Sequence, residues 1–284
     1  MISYFNGHFM NDEEVFISPH DRGFNFADGT YEVFRSFSGK LFYAEEHVER
    51  LKYSLAELKI DYRDTEALIP AALELVRLND LGQKEASIYL QITRGSYKRM
   101  HPFPNEKIEP TVYMNIKEFV PYTEFIQNGI KCILLPDIRW HRCDIKTIAL
   151  LPNIMAKQQA TEASAYEAIF VRDGIITEGT HTNFFGIKKG VVYTHPKSNF
   201  ILSGVSREIV IAICNENDMA VVEEGISAFR LLDMDELFIA GTSTEVMPVI
   251  QIDENIIGNG SPGTMTSKIQ NLFKEHILSY LNSR

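Results

Sequence analysis

The sequence contains few cysteines, and they follow no disulfide or metal-ligand pattern. Cys132, Cys143 and Cys214 are 3 in number, and none belongs to a CxxC pair. An odd number of widely separated cysteines argues against a disulfide framework and against a structural zinc site. We therefore expect no bound metal and a reducing, cytoplasmic environment.

Long apolar runs and an excess of positive charge are also missing. No apolar stretch approaches the roughly 20 residues of a membrane span, and residues 1–15 carry no basic, apolar leader. The 28 basic side chains are outnumbered by 38 acidic ones, so the net charge is -10. Such a chain repels phosphate backbones and anionic lipid surfaces. We expect no export signal, no membrane anchor and no nucleic-acid partner, which leaves small molecules as partners.

The apolar residues that are present predict an α+β fold. Residues 44–60 have apolar residues at helical spacing, whereas residues 86–93 alternate as in a half-buried strand. Asp173-Gly174 stands between two apolar runs, a pattern typical of a tight hairpin. A further helix is predicted over 206–215. Arg99 and His101 follow the strand at 86–93, and an extended backbone there would point both side chains the same way.

The 284 residues suffice for one large or two modest domains, and we expect two. A stiff segment at 119–123 separates the first strands from a second block of strands and turns. We place an N-terminal α+β domain at 1–118, a linker at 119–123 and a C-terminal α+β domain at 124–284.

One lysine stands in surroundings that suit covalent chemistry. Lys146 follows Ile145 and precedes the apolar run 148–151. Removal of water favours the neutral form of an amine, which is the form that attacks a carbonyl group. A lysine at such a position is more often a solvated residue at a strand end. The assignment therefore depends on the motifs around it.

A second motif offers a site for phosphate. Gly204-Val205-Ser206 directly precedes the predicted helix 206–215. The free amides and the positive dipole end of a helix N-terminus bind anions, and glycine permits close approach of the backbone. From these residues alone, a phosphate site and an ordinary capped helix are equally open.

Several segments together resemble the class IV (fold-type IV) pyridoxal-phosphate aminotransferases, and within them the D-amino acid (D-alanine) aminotransferases. They keep their order from about residue 4 to about residue 270, which is nearly the whole chain. The matching segments are Asp21-Arg22-Gly23, Asp28-Gly29-Thr30-Tyr31-Glu32-Val33, Glu46-His47-Val48-Glu49-Arg50-Leu51, Thr93-Arg94-Gly95, Asp137-Ile138-Arg139-Trp140, Thr177-Glu178-Gly179 with Asn183, and Asp235-Glu236-Leu237-Phe238.

The resemblance implies a two-domain α+β enzyme with a pyridoxal 5'-phosphate site between the domains. Lys146 would be the covalent anchor and the general base. Glu178 would keep the pyridine nitrogen protonated, which makes the ring an electron sink. The expected phosphate-binding residues are Arg50, Val205, Ser206, Gly241 and Thr242.

The resemblance also implies how substrate is held. Tyr31, Arg99 and His101 would bind the carboxylate of a D-amino acid, because a planar guanidinium forms bidentate contacts with a carboxylate. Arg99 and His101 would reach the site from the partner subunit of a homodimer. The substrates would be an amino acid and a 2-oxo acid.

The chain departs from the family at two positions. Relatives often carry a hydroxyl residue where this chain has Gly241, so one phosphate contact would be reduced to a backbone amide. His181 replaces a small hydroxyl residue, and it would either narrow the substrate pocket or point into solvent.

Other functions of the same fold stay open. They are a branched-chain L-amino acid aminotransferase, an aminodeoxychorismate lyase that releases pyruvate, and a pyridoxal-phosphate carrier without catalysis. The Arg99-x-His101 pair argues against the first two, because those enzymes generally lack it.

Overall fold

The computed structural model describes residues 1–283 and groups them into two compact units. The first unit comprises Met1–Val120 and Ile145–Leu150, and the second comprises Pro121–Asp144 and Leu151–Ser283. The division at 119–123 stays a prediction about domain organisation. Residues 145–150, which that division assigns to the second domain, are grouped with the first unit, where Thr147 bridges to Thr30. Arg284 lies outside the described residues.

The first unit contains one antiparallel sheet of six strands and three helices. The sheet order is β2-β1-β6-β5-β3-β4. The strands are β1 (Ile2–Phe5), β2 (His8–Asn11), β3 (Gly29–Phe37), β4 (Lys40–Phe42), β5 (Glu85–Thr93) and β6 (Thr111–Glu118), and the helices are α1 (Arg22–Phe26), α2 (Ala44–Glu57) and α3 (Leu68–Leu78).

Helices α2 and α3 supply apolar residues to the core of this unit. The alternation along β5 buries Ile88, Leu90 and Ile92, as the sequence predicts, and they belong to one apolar cluster with Leu51 of α2 and Leu75 of α3. Helix α2 is three residues shorter than the predicted 44–60. It ends before Lys59, whose positive φ of 54° is incompatible with a continuing helix.

The second unit is built on a sheet of nine strands. Its main order is β12-β11-β10-β13-β14-β7-β8-β9, and β15 pairs with β14. The strands are β7 (Ile130–Pro136), β8 (Glu167–Arg172), β9 (Ile175–Gly179), β10 (Asn183–Lys188), β11 (Val191–Thr194), β12 (Val221–Glu223), β13 (Glu236–Gly241), β14 (Glu245–Ile252) and β15 (Asn255–Ile256). The helices are α4 (Thr123–Asn128), α5 (Leu151–Glu162), α6 (Val205–Glu216) and α7 (Thr264–Asn282).

Two sequence predictions for this unit are confirmed and bear on the site. Asp173 and Gly174 both have positive φ, 50° and 78°, which is the geometry of the predicted tight turn between β8 and β9. Helix α6 begins at Val205, directly after Gly204, as expected. The α+β class is confirmed in both units. Among residues 1–283, no helix combines the length and the hydropathy of a membrane-spanning segment.

Candidate active site

The backbone of Lys146 is fastened to β3 and α2 in the first unit. Its carbonyl accepts hydrogen bonds from the Thr30 hydroxyl at 2.8 Å and the Tyr31 amide at 3.1 Å, and its amide donates to the Ser54 hydroxyl at 3.1 Å. The amine Nζ lies 4.1 Å from the centroid of the Tyr31 ring. Two residues that the sequence assigns to one site, Lys146 and Tyr31, are therefore in contact.

Arg50 is held by a buried acid that was not among the predicted site residues. Glu32 lies on the inward face of β3, between Thr30 and Phe34, and has no exposed surface. The Nε and Nη2 atoms of Arg50 each donate to the Glu32 carboxylate at 2.8 Å, and His47 Nδ1 lies 2.7 Å from the same group. A carboxylate on the buried face of a strand needs a cation as its partner. The position of Glu32 among buried strand residues was therefore the signal from which the sequence could have predicted such a pair.

The ionisation of this buried group follows from its partners. Burial works against a charge on Glu32, but the guanidinium of Arg50 outweighs that effect and holds the pKa of the carboxyl well below its usual range. Burial also lowers the pKa of His47, although Glu32 opposes the shift. His47 is therefore neutral at pH 7, and the charge of Glu32 is balanced chiefly by Arg50.

The backbone at Arg99 and His101 is not an extended strand, so the backbone geometry expected there is wrong. They belong to an irregular, exposed segment after β5, because the chain turns at Gly95 with a positive φ of 101°. Both side chains nevertheless pack against the ring of Phe26. The Arg99 guanidinium carbon is 5.2 Å from the centroid of the Phe26 ring. The centroid of the His101 ring is 5.7 Å from the same Phe26 centroid.

In the second unit, Glu178 accepts three hydrogen bonds at the end of β9. Arg139 Nη1 donates to one carboxylate oxygen at 2.6 Å, and Asn183 Nδ2 and the Leu202 amide donate to the other at 3.1 Å and 3.0 Å. A carboxylate has about four lone-pair positions, so one more donor fits. Burial raises the pKa of Glu178, and Arg139 and the Leu202 amide offset only part of that increase.

Arg139 is a site residue to which sequence reasoning gave no role. Its Nε and Nη2 atoms donate to Asp137 at 2.9 Å each, and Asp137 also contacts Arg172 at 3.1 Å. Burial opposes the charge of Arg139, but Glu178 and Asp137 outweigh it and raise its pKa. The Asp137–Arg139 segment had supported the family resemblance, and this contact with Glu178 gives it a physical function.

Asn183 lies beside two residues that directly precede expected phosphate-binding residues of this unit. Asn183 lies opposite Ala240, the residue before Gly241, and its amide also donates to the Leu202 carbonyl at 2.8 Å. A side chain at Gly204 would collide with Asn183 Oδ1, so the residue that directly precedes α6 approaches Asn183 closely. The residue before α6 and the residue before Gly241 are therefore both adjacent to Asn183.

The turn after β13 contains an unused hydrogen-bonding group. Among the described residues, no partner is found for the buried hydroxyl of Thr244, two residues after Thr242. A Cβ at Gly241 would lie 3.0 Å from that hydroxyl and 3.4 Å from Thr182 Cγ2, so the missing side chain leaves little space unused. In the second unit, the amides at the start of α6, this hydroxyl and the acid Glu178 suit a phosphate group and a pyridine nitrogen. In the first unit, the amine of Lys146 suits covalent attachment. Taken separately, the residues of each unit fit pyridoxal phosphate.

His181 is neither fully in solvent nor buried. Its Nδ1 atom lies 3.0 Å from the carboxylate of Glu167, and 39% of its side chain is exposed. Glu167 is buried and also accepts hydrogen bonds from the hydroxyls of Thr180 and Thr182. Burial would raise the pKa of Glu167, but His181 and its other partners lower it to about 2. His181 thus anchors the turn between β9 and β10 to a buried charge.

Comparison with known proteins agrees with this set of groups. Residues 29–252 match the family described as amino-transferase class IV. D-alanine aminotransferase of Bacillus licheniformis is 42% identical over 97% of this chain and 96% of its own, and that of Staphylococcus epidermidis (strain ATCC 35984) is 39% identical over 98% of each.

Solved structures agree as well. The branched-chain aminotransferase of the archaeon Thermoproteus uzoniensis, solved with norvaline, has a TM-score of 0.87 and 26% identity, and the match covers 98% of this chain and 95% of that one. Another branched-chain amino acid aminotransferase with the same TM-score of 0.87 and the same 26% identity was solved with pyridoxamine 5'-phosphate. Pyridoxamine 5'-phosphate, with which that enzyme was solved, is the amino form of the cofactor that the site groups fit.

The match to the family spans most of the chain and includes every segment that carries the site groups described above, except Phe26 of the short helix α1. The resemblance read from the sequence is confirmed. The chain belongs to the class IV aminotransferases.

Proposed function

We propose that this enzyme transfers the amino group of a D-amino acid, of the D-alanine or D-glutamate type, to a 2-oxo acid. Its curated relatives named D-alanine aminotransferase are 42% and 39% identical over nearly the full length. The observation that carries the substrate assignment is the Arg99–His101 pair, whose two side chains lie against one ring, that of Phe26.

The cofactor of this reaction is pyridoxal 5'-phosphate, which supplies an electron sink for the electrons left at Cα when its proton is removed. Lys146 would hold it covalently until the amino group of the substrate takes the place of the lysine, and the freed amine would then remove the Cα proton as general base. Glu178 would keep a proton on the pyridine nitrogen through its free lone-pair position. The phosphate group of the cofactor would be held by Arg50, by the amides of Val205 and Ser206, and by the turn of Gly241 and Thr242.

Substrate would be oriented by its carboxylate. Tyr31, beside the Lys146 amine, and the Arg99–His101 pair would fix that carboxylate, so that only one enantiomer presents its Cα hydrogen to Lys146. Arg99 and His101 would act in the site of the partner subunit, which requires a homodimer. The expected compartment is the cytoplasm.

A branched-chain L-amino acid aminotransferase is the second candidate, because several solved structures similar to this chain carry the name branched-chain aminotransferase. Their 26% identity is well below the 42% of the D-alanine enzyme, and one fold serves both activities. The lyase and the carrier are weaker candidates, since the comparisons favour a transferase.

A panel of D- and L-amino acids with 2-oxoglutarate tests the proposal. We expect D-alanine or D-glutamate to be the best donor and L-leucine to be poor, and we expect no release of pyruvate from aminodeoxychorismate. A preference for L-leucine over D-alanine would contradict the proposed substrate class. Cofactor absorbance without half-transamination by any amino acid would instead indicate a carrier.

Arg99→Ala tests both the carboxylate contact and the dimer. Loss of a bidentate guanidinium–carboxylate contact costs roughly 2–5 kcal/mol, so kcat/KM should fall while pyridoxal phosphate still binds. Mixing Lys146→Ala subunits with Arg99→Ala subunits should restore one complete site in each heterodimer. A verified heterodimer without recovered activity would show that Arg99 does not act across subunits.

A further inference from the structure

Arg22 is a buried cation that the mechanism above does not use. It lies in the short helix α1, and only 3% of its surface is exposed. Its Nε donates to Asp28 at 2.7 Å, and its Nη1 and Nη2 atoms donate to the backbone carbonyls of Met100 at 2.7 Å and of His101 at 3.4 Å. One guanidinium group therefore spans from the start of β3 to the segment that carries Arg99 and His101.

Asp28 is itself anchored by a second buried arginine. Arg94 Nε and Nη2 donate to the two Asp28 oxygens at 2.8 Å and 2.9 Å. The remaining donors of Arg94 reach the carbonyls of Leu58 and Lys59, at 2.6 Å each, where α2 ends. A helix C-terminus carries partial negative charge, so it is a favourable place for this cation. The segment that carries Arg99 and His101 is thus linked through Arg22, Asp28 and Arg94 to the end of α2.

Three side chains of this region pack against one aromatic ring, that of Phe26. The Arg22 guanidinium lies 4.9 Å from the centroid of the Phe26 ring, to which Arg99 and His101 also pack. A guanidinium over a ring face is attracted by the negative charge density of that face. Arg99 and His101 are both exposed, and the ring of Phe26 is a packing partner that the two side chains share.

We propose that Arg22 and Phe26 are positioning residues for the substrate carboxylate. Arg22 fixes the backbone of residues 100–101, and Phe26 fixes the Arg99 and His101 side chains before substrate arrives. Ordering those side chains in advance removes an entropic cost from binding. The inference rests on the proposed function, because it assumes that Arg99 and His101 bind the carboxylate. It adds that an irregular, exposed segment is held ready by α1.

Phe26→Leu is the main test, with Phe26→Tyr as the conservative variant and Arg22→Lys as the second site. Phe24→Leu is the matched control, because Phe24 lies on the same helix but is 76% exposed. The holoenzyme is assayed for kcat, for KM with D-alanine and with 2-oxoglutarate, and for the dissociation constant of pyridoxal phosphate. Hydrogen exchange of the peptide covering 97–104 reports the order of the segment without any reference to activity.

For Phe26→Leu and Arg22→Lys we expect KM to rise about 10-fold for both substrates, since both carry a carboxylate. The value of kcat and cofactor binding should change little, exchange in 97–104 should become faster, and Phe26→Tyr should restore wild-type values. Phe24→Leu should match the wild type throughout.

Three results would overturn the inference. If Arg99→Ala raises KM while Phe26→Leu and Arg22→Lys leave KM and exchange unchanged, the positioning role is wrong and the proposed function stands. If Arg99→Ala itself leaves both KM values unchanged, the carboxylate site lies elsewhere and the proposed basis of substrate binding fails as well. Faster exchange with unchanged KM would show a purely structural role, which also contradicts the inference.

Discussion

Glu32 in the first unit and Glu178 in the second are both buried, and both accept three hydrogen bonds, yet their pKa values shift in opposite directions. Glu32 receives two donors from Arg50, and its pKa is lowered. Glu178 receives one donor from Arg139, whose two other donor atoms are directed at Asp137. Its pKa is raised by burial. Arg50 directs two donors at Glu32, whereas Arg139 directs only one at Glu178, and this accounts for the opposite shifts of the two pKa values.

This comparison distinguishes Glu32 from Glu178, the acid that we propose to pair with the pyridine nitrogen. The charge of Glu32 is matched within the fold, so a further cation has little to add. Glu178 is only partly matched, and it gains from one more positively charged donor at its remaining lone-pair position. A protonated pyridine nitrogen is such a donor, which is consistent with the role proposed for Glu178.

Lys146→Ala should lower turnover by at least about 10²–10⁴-fold, because a positioned general base is lost. The fold should survive, since the hydrogen bonds that hold Lys146 come from its backbone. Borohydride reduction of the wild type followed by peptide mapping should label Lys146. A label on another lysine would remove this residue from its assigned role.

Glu32→Gln and Glu178→Gln should fail in different ways. Breaking the buried Glu32–Arg50 pair should lower the free energy of unfolding by about 3–5 kcal/mol. Glu178→Gln should cost less stability and retain the cofactor, but it should slow Cα proton loss about 10²-fold or more. Urea unfolding and single-turnover kinetics measure the two effects. Unchanged single-turnover rates in Glu178→Gln would contradict the contrast.

His47 should make the first unit sensitive to acid. The folded-state pKa of His47 is lowered by burial, so the folded protein favours neutral His47. Its contribution is fully present above the unfolded pKa of about 6.5 and is lost as the pH falls from there towards the folded pKa. The free energy of unfolding should therefore fall less between pH 7.5 and 5.5 in His47→Gln than in the wild type. His8→Gln, at an exposed histidine, is the control.

His181→Ser should have the smallest effect and should alter specificity rather than rate. If the partly exposed ring lines the substrate pocket, its removal should admit bulkier side chains, measured as a higher relative kcat/KM for them. Thr180 and Thr182 still donate to Glu167, so the turn should remain in place. An unchanged specificity profile would place the exposed part of His181 in solvent.

Local patterns in the sequence were sufficient for several of the elements. The alternation that buries Ile88, Leu90 and Ile92 is a property of adjacent residues, and so are the Asp173-Gly174 turn and the glycine before α6. These features depend on backbone geometry that neighbouring residues impose. Motif order along the chain was likewise sufficient to recognise the class IV aminotransferase family.

The partners of the charged residues were decided by the tertiary structure. Arg50 and Glu32 are 18 positions apart, Arg139 and Glu178 are 39 apart, and Arg22 and Met100 are 78 apart. No local pattern encodes which cation reaches which acid across such separations, because any buried charge needs a partner but the fold determines which one is near. For the same reason, the extended geometry expected at Arg99 and His101 was wrong. Their arrangement follows from Phe26 and Arg22, which local alternation does not reveal.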